Sequence, residues 1–367
     1  MQRNVFVKRM IFAVAAVAAV ALIVLVAVFL RNRLFSSAQI TQTDNLALSS
    51  DMELYPFAGG GFISVKGSEL LFLDGEGKLV SSKEIPTGDD IIISPAGKSV
   101  AVYHDEQMKI YFPASDAADS EKPLNIAMSD MVCSTQNDYV ALLDNERSTI
   151  YILNEKGTNI DRIHFSDQTV INMGWFYAQR ELLWVVALDA SGSAPVSVVR
   201  IYEPNKTEVA LKQFTDELVY DLVINSESAS ALAVGTKHIS SVPLSSSSAM
   251  DVEVLVYGYQ FMAASDSGSV IVMAPISEIS RGYVTSLRII KGKEAVNMQL
   301  PAGCSAFSVG EKNIYAADAA TIYTIGFDGK VKETKNFDVL FNEVQAVGNR
   351  MMVFFSSSSA TLINLPD

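Results

Sequence analysis

The sequence predicts an all-β protein: an eight-bladed β-propeller preceded by one transmembrane helix, with seven blades as the alternative. Three observations support this prediction. An uncharged apolar segment lies near the N-terminus. After it come short runs rich in Val, Ile, Tyr and Phe, broken by Gly, Asn, Asp and Ser about every eight to twelve residues, which is typical of an all-β domain. These runs also recur with a longer period of about forty residues.

The apolar segment from Met10 to Leu30 contains 21 residues without a charge. At about 1.5 Å per residue such a helix extends roughly 31 Å, the thickness of a hydrocarbon core. The alternative is a signal peptide cleaved near Ser36-Ser37-Ala38, but the segment exceeds the usual apolar region of about 7 to 15 residues. We therefore expect a membrane anchor.

Basic residues set the orientation that we expect at the cell membrane. Arg3, Lys8 and Arg9 precede the helix, whereas Arg31 and Arg33 follow it, which favours an N-terminus inside. The expected organisation is a cytoplasmic tail (1–9), a transmembrane helix (10–30), a linker (31–38) and an extracytoplasmic propeller (39–367).

The outer portion is strongly acidic. No acidic residue precedes Asp44, and five of the 28 basic residues lie before it. The outer portion therefore has 41 acidic residues against 23 basic ones, a formal charge of −18. Phosphate backbones repel such a surface, so nucleic acid is excluded as a partner.

An aspartate ahead of an apolar strand marks most of the repeating units. The successive gaps are 39, 40, 37, 49 and 122 residues, the last covering three units. The marker residues are Asp51, Asp90, Asp130, Asp167, Asp216 and Asp338.

A hairpin turn forms a second marker with the same phase. It follows an apolar strand in the segments 73–78, 153–158, 202–207 and 327–330, where Gly or Asn supplies the positive φ that a tight turn needs. Each unit then divides into four strands, which is typical of a propeller blade.

The last unit is one strand short. It holds three strands, at Glu343 to Val347, Met351 to Phe355 and Ala360 to Leu365. We expect Gln39 to Leu48 to supply the fourth and close the ring, because closure removes exposed sheet edges. Seven blades would result if the stretch from Ser240 to Ser248 formed no full set of strands.

One stretch resembles known propeller repeats. The run from Ile91 to Val102, with Ser94-Pro95 followed by Gly97-Lys98, is similar to the blades of TolB-like and WD-like propellers. The layout of an anchor plus an acidic propeller also resembles an uncharacterised family of single-pass membrane proteins of Gram-positive anaerobes. These resemblances imply a fold and leave the ligand open.

Motifs for catalysis are absent from the sequence. There is no G-x-S-x-G, H-E-x-x-H or Walker-type loop, and the three histidines, His104, His164 and His238, fall in different units. No cofactor is predicted. The expected function is a non-enzymatic scaffold for a protein or peptide partner. The alternative is a hydrolase of cell-wall carbohydrate that uses channel carboxylates.

The marker aspartates form the candidate binding site. In a propeller the link between blades lies near one mouth of the channel, so these carboxylates would form a partial ring there. The simpler interpretation is that each caps its own turn. The functional interpretation is that the ring attracts a cation such as Ca²⁺, or a basic segment of a partner. Two long loops on that face, Ala190 to Ala194 and Ser277 to Tyr283, are further candidates for recognition.

Overall fold

A computed structural model describes residues 41–46, 52–57, 61–88, 91–96, 99–112, 119–124, 127–134, 139–154, 156–177, 180–205, 208–225, 230–244, 252–347, 350–356 and 359–365. These residues form eight antiparallel four-stranded sheets. The predicted eight-bladed propeller is therefore confirmed, and the seven-bladed alternative is wrong. Within the described ranges no helix is long and apolar enough to cross a membrane, and the predicted span from Met10 to Leu30 lies outside them.

Blades 1 to 7 each run from an inner strand A to an outer strand D in chain order, and blade 8 takes its strand D from β1 at the start of the chain. The strands of blades 1 to 4 are β2 Glu53–Phe57, β3 Gly61–Lys66, β4 Glu69–Leu73, β5 Leu79–Glu84; β6 Ile92–Pro95, β7 Val100–His104, β8 Gln107–Tyr111, β9 Ser120–Pro123; β10 Met128–Cys133, β11 Val140–Asp144, β12 Thr149–Leu153, β13 Asn159–His164; and β14 Gln168–Tyr177, β15 Glu181–Asp189, β16 Val196–Tyr202, β17 Glu208–Thr215.

The strands of blades 5 to 8 follow the same order. They are β18 Val219–Asn225, β19 Ser230–Gly235, β20 His238–Pro243, β21 Glu253–Leu255; β22 Tyr259–Ala264, β23 Val270–Pro275, β24 Val284–Lys291, β25 Glu294–Cys304; β26 Ala306–Val309, β27 Asn313–Ala317, β28 Thr321–Gly326, β29 Val331–Asn336; and β30 Glu343–Val347, β31 Arg350–Ser356, β32 Ser359–Asn364 with β1 Thr41–Leu46. One short helix, α1 Ile276–Ile279, joins β23 to β24.

Strand β1 closes the ring as expected, since it pairs with β32 as the outer strand of blade 8. The inner strands of blades 1 and 8, β2 and β30, also contact each other. The guanidinium of Arg350 in blade 8 lies 5.1 Å from the ring centre of Phe62 in blade 1 and donates to the carbonyl of Gly75, 2.6 Å away. Blades 1 and 8 are therefore joined by side chains as well as by the shared sheet.

The hydrophobic core is divided into layers between neighbouring blades. One layer packs Ile63 and Phe72 of blade 1 against Val100 and Tyr111 of blade 2. Another packs Leu143 of blade 3 and its neighbours against blade 4. The strand pattern explains this arrangement, because alternate side chains point to opposite faces of each sheet and both faces meet another blade.

The predicted hairpin turns lie between strands C and D. The Asp74 side chain accepts hydrogen bonds from the backbone N–H groups of Glu76 and Lys78, and Gly77 adopts φ +76°. Asn154 makes the same pair of bonds in blade 3. The Asp or Asn thus shapes the turn while glycine supplies the left-handed residue.

Candidate functional site

The propeller has two faces, which carry different loops. The link between blades (D to A) and the connection between strands B and C lie on one face, which we call the link face. The A–B and C–D hairpins lie on the opposite face. Because the link face surrounds the start of every inner strand, it is where the predicted aspartates were expected.

Three of the predicted aspartates lie in links between blades. Asp167 and Asp216 are exposed and each adopts φ +59°, and Asp338 is exposed between β29 and β30. Asp51 and Asp90 lie outside the described residues.

Asp130 occupies a different position, inside inner strand β10. A β-bulge between Met128 and Asp130 shifts the register of β10 against β11. The Asp130 carboxylate accepts a hydrogen bond from the backbone N–H of Met131, 2.8 Å away. Its structural equivalents lie five residues after Asp167 and Asp216: Asn172 follows a bulge in β14 and Asp221 follows one in β18.

The same side-chain bond recurs at these equivalent positions. Asn172 accepts from Met173 at 2.8 Å and Asp221 accepts from Leu222 at 2.7 Å. The signal in the sequence is an apolar residue, any residue, Asp or Asn, then an apolar residue, at 128–131, 170–173 and 219–222. Asn172 and Asp221 are not among the predicted site residues, because the spacing of about forty residues aligns Asp130 with Asp167 and Asp216.

Burial raises the pKa of Asp221, and the hydrogen bond from Leu222 opposes this shift. No group of three His, Cys, Asp or Glu residues in the described part of the chain could hold a metal ion.

Blades 5 and 6 present apolar side chains on the link face. Leu218 and Tyr257 lie in links and are 40% and 75% exposed, and Ile276 and Tyr283 flank the B–C connection of blade 6 at 52% and 47%. We call these four residues the blade 5–6 surface. A cavity of about 250 Å³ opens beside them, lined by Tyr220, Thr236, Tyr259, Gln260 and Ile276.

Backbone bonds fix the parts of this surface to one another. Thr236 N–H donates to the carbonyl of Leu218 at 2.9 Å, and Ile276 N–H donates to that of Gly258 at 3.0 Å. The ring of Tyr283 packs on Gly303, where an added Cβ would lie 2.9 Å from the ring. These contacts therefore hold the loops that carry the exposed side chains in a fixed arrangement.

Two buried or bonded glutamates hold the loops beneath the surface. The side chain of Glu217 is 8% exposed and accepts hydrogen bonds from the N–H groups of Lys237 and His238. Glu278 of α1 accepts from the N–H and hydroxyl of Ser286 at 3.0 and 2.9 Å. Although burial acts to raise it, hydrogen bonds from Thr285 and Ser286 hold the pKa of Glu278 below its usual value. Both acids stabilise the loops on which the apolar side chains stand.

The eight sheets define a β-propeller that exposes apolar side chains on the link face of blades 5 and 6. The chain belongs to the family of unknown function (DUF5711), whose model matches residues 31–365. No curated protein matches the chain.

Solved structures share the fold at low sequence identity. BamB from Moraxella catarrhalis is 11% identical, with a TM-score of 0.55 over 89% of this chain and 100% of that chain. The dihydro-heme d1 dehydrogenase NirN, solved in complex with DHE, is 12% identical, with a TM-score of 0.54 over 90% of this chain and 79% of that chain. The WD40 domain of Neurospora crassa Pan2 is 9% identical, with a TM-score of 0.46 over 89% and 96%. The first two likenesses establish the propeller fold and nothing about ligands.

Proposed function

We propose that this chain is a membrane-tethered, extracytoplasmic scaffold that binds a protein or peptide partner through the blade 5–6 surface. The segment from Met10 to Leu30 is the tether, and the propeller is the binding module. The fold is compatible with this role, since rigid propellers commonly present loops for recognition.

The blade 5–6 surface carries the proposal. Six of the exposed large hydrophobic residues of the described chain lie in links or B–C connections, and all six lie in blades 5 to 8 or in the links that lead into them: Leu218, Tyr257, Ile276, Tyr283, Val339 and Leu340. Scattered apolar residues on a surface need no explanation, but a group on one face indicates an interaction site. Exposed tyrosines are also typical anchors of protein interfaces.

Photo-cross-linking from the full chain in native membranes tests this surface. A photoreactive phenylalanine analogue at position 257 should cross-link a distinct protein, whereas the same analogue at position 79, an exposed apolar site in strand β5, should not. Ile276→Ser should reduce the cross-link from position 257 about tenfold, because loss of an apolar anchor removes about 1.4 kcal/mol.

A matched variant controls for general surface effects. Val331→Ser changes another exposed apolar residue, at the start of strand β29, and should leave the cross-link unchanged. Equal products from positions 257 and 79, or equal losses in the two serine variants, would contradict the proposed surface.

The membrane tether is tested separately, by determining the N-terminal residue of the mature protein and by alkaline extraction of the membranes. An uncleaved anchor predicts that mature protein retains Met1 and stays in the membrane after an alkaline carbonate wash. Protease added outside intact cells should digest the propeller. Mature protein that begins after Ala38 would show a cleaved signal peptide instead.

A further inference from the structure

A second cavity opens on the link face between blades 1 and 2. Its volume is about 500 Å³, which is within the usual range for small-ligand sites. Ile85, Pro86 and Val102 form an apolar wall, and the carboxylates of Glu84 and Glu121 lie at its rim. Both glutamates are exposed, and they have no ion-pair partner within the described part of the chain.

Tyr111 is the unusual member of this cavity. The residue is 1% exposed and lines the cavity, yet its hydroxyl has no hydrogen-bond partner among the described residues. Because Tyr111 lines the cavity, a ligand bound there would supply a hydrogen-bond partner for this hydroxyl. Burial raises the pKa of Tyr111, and the negative charges of Asp119, Glu121 and Glu84 raise it further. The surroundings of the hydroxyl therefore favour positive charge.

Nearby cations are consistent with this preference. Lys83 pairs with Asp119 at 3.3 Å, so it does not neutralise the rim glutamates. The ammonium of Lys109 lies 5.0 Å from the ring centre of Tyr111, and Lys109 stands opposite Glu121 in the β8–β9 pair. The Lys109 ammonium therefore already lies near the negative charges of this cavity, and it would compete with a cationic ligand for them.

We propose that the blade 1–2 cavity binds an alkyl-ammonium or guanidinium group, as carried by a lysine or arginine side chain. The charge pairs with Glu84 and Glu121, and the cationic N–H donates to the Tyr111 hydroxyl. The aliphatic stem lies along Ile85, Pro86 and Val102, as long basic side chains commonly lie on apolar surface. This site is separate from the blade 5–6 surface and does not depend on it.

Calorimetry with the full chain in detergent micelles tests the cavity with three probes. The probes are an N-acetylated Ala-Lys-Ala amide, the same capped peptide with norleucine in place of lysine, and 1,5-diaminopentane. The lysine peptide should bind and the norleucine peptide should not, and binding should weaken as salt screens the rim charges. Tighter binding of the peptide than of the diamine identifies a protein side chain as the source, and the reverse identifies a free amine.

Variants assign the binding to named groups. Glu84→Gln with Glu121→Gln should weaken binding about fivefold, as should Tyr111→Phe, because each change removes about 1 kcal/mol of interaction. Lys109→Gln should strengthen binding by removing the competing cation. The matched control is Glu333→Gln, an exposed glutamate on β29 of blade 7 outside the cavity, which should bind like the wild type.

Two outcomes overturn the proposal. Equal binding of the lysine and norleucine peptides, or no binding of either cation, contradicts a cation site. Wild-type affinity in the double Gln variant, with thermal unfolding unchanged, contradicts the assigned carboxylates. Either result leaves the cross-link from position 257 unaffected, so failure here is distinguishable from failure of the scaffold function.

Discussion

The indole Nε1 of Trp175 in blade 4 donates a hydrogen bond to the backbone carbonyl of Val132 in blade 3, 3.0 Å away. Both residues lie on inner strands, β14 and β10. The bond therefore joins two sheets that share no ladder of backbone hydrogen bonds. Trp184 of the same blade packs toward blade 5 instead, so the two tryptophans of the chain stabilise opposite sides of blade 4.

Removal of this indole bond should weaken the contact between blades 3 and 4. We expect Trp175→Phe to lower the free energy of unfolding by about 1 kcal/mol, because the aromatic ring remains while the donor is lost. Urea denaturation of the full chain in detergent measures the change. Tyr177→Phe, at an exposed position of the same strand, is the control; an equal loss in both variants would count against the inter-blade bond.

A methyl group at position 174 should disrupt the packing of Trp184. Gly174 stands opposite Trp184 in the β14–β15 pair, and an added Cβ would lie 2.5 Å from the indole. We expect Gly174→Ala to destabilise the protein by about 1 to 3 kcal/mol through overpacking. In Gly192→Ala the nearest atom would be 3.6 Å away, so this variant should unfold like the wild type. Trp184→Leu should cost less in the Gly174→Ala background than alone.

The turn at Asp105 and Glu106 should gain stability from glycine. Both residues adopt positive φ, 54° and 59°, a conformation that costs a residue with a Cβ about 1 kcal/mol. We therefore expect Glu106→Gly to raise the unfolding free energy by about this amount. Glu146→Gly, in the corresponding turn of blade 3, is the matched control, since the φ of Glu146 is not positive. A gain in the control and not in Glu106→Gly would refute the strain argument.

The buried carboxyl of Asp221 should make stability depend on pH. Burial raises its folded pKa above the ordinary value of 3.8. The contribution of Asp221 to the free energy of unfolding is therefore fully present below pH 3.8, and it is lost as the pH rises through the pKa of the folded state. We expect Asp221→Asn to raise the unfolding free energy at neutral pH and to have less effect in acid.

A contrasting acid provides the comparison for Asp221→Asn. Burial acts to raise the pKa of Asp144, but hydrogen bonds from Ser148 and Thr149 outweigh it and hold that pKa below its usual value. Its contribution is present above pH 3.8 and is lost as the pH falls through the folded pKa. Asp144→Asn should therefore lower stability at neutral pH. The prediction for Asp221 is wrong if the two variants shift urea midpoints in the same direction at pH 7.

Local patterns were sufficient to predict most of the architecture. Strand β30 has the predicted bounds, Glu343–Val347, and the strand predicted from Gln39 to Leu48 is observed as β1 Thr41–Leu46. Alternating apolar residues and turn residues such as Asp74 act over a few neighbours in the chain, so the sequence displays them directly. The membrane span and the extracytoplasmic location stay predictions.

By itself, the sequence predicted the four-stranded repeat, the turns within it and the closure of the ring, because these depend on local periodicity, whereas the choice of eight blades over seven came from the structure. Only the tertiary structure decided which polar side chains belong together. A bulge that adds one residue to an inner strand makes Asn172 and Asp221, and not Asp167 and Asp216, the equivalents of Asp130. Likewise, Glu84 and Tyr111 meet at one cavity only because blades 1 and 2 pack face to face. Contacts of this kind form when neighbouring blades pack against each other around the ring. The periodic pattern of a single strand shows which face is apolar but does not show which residues of the next blade it meets.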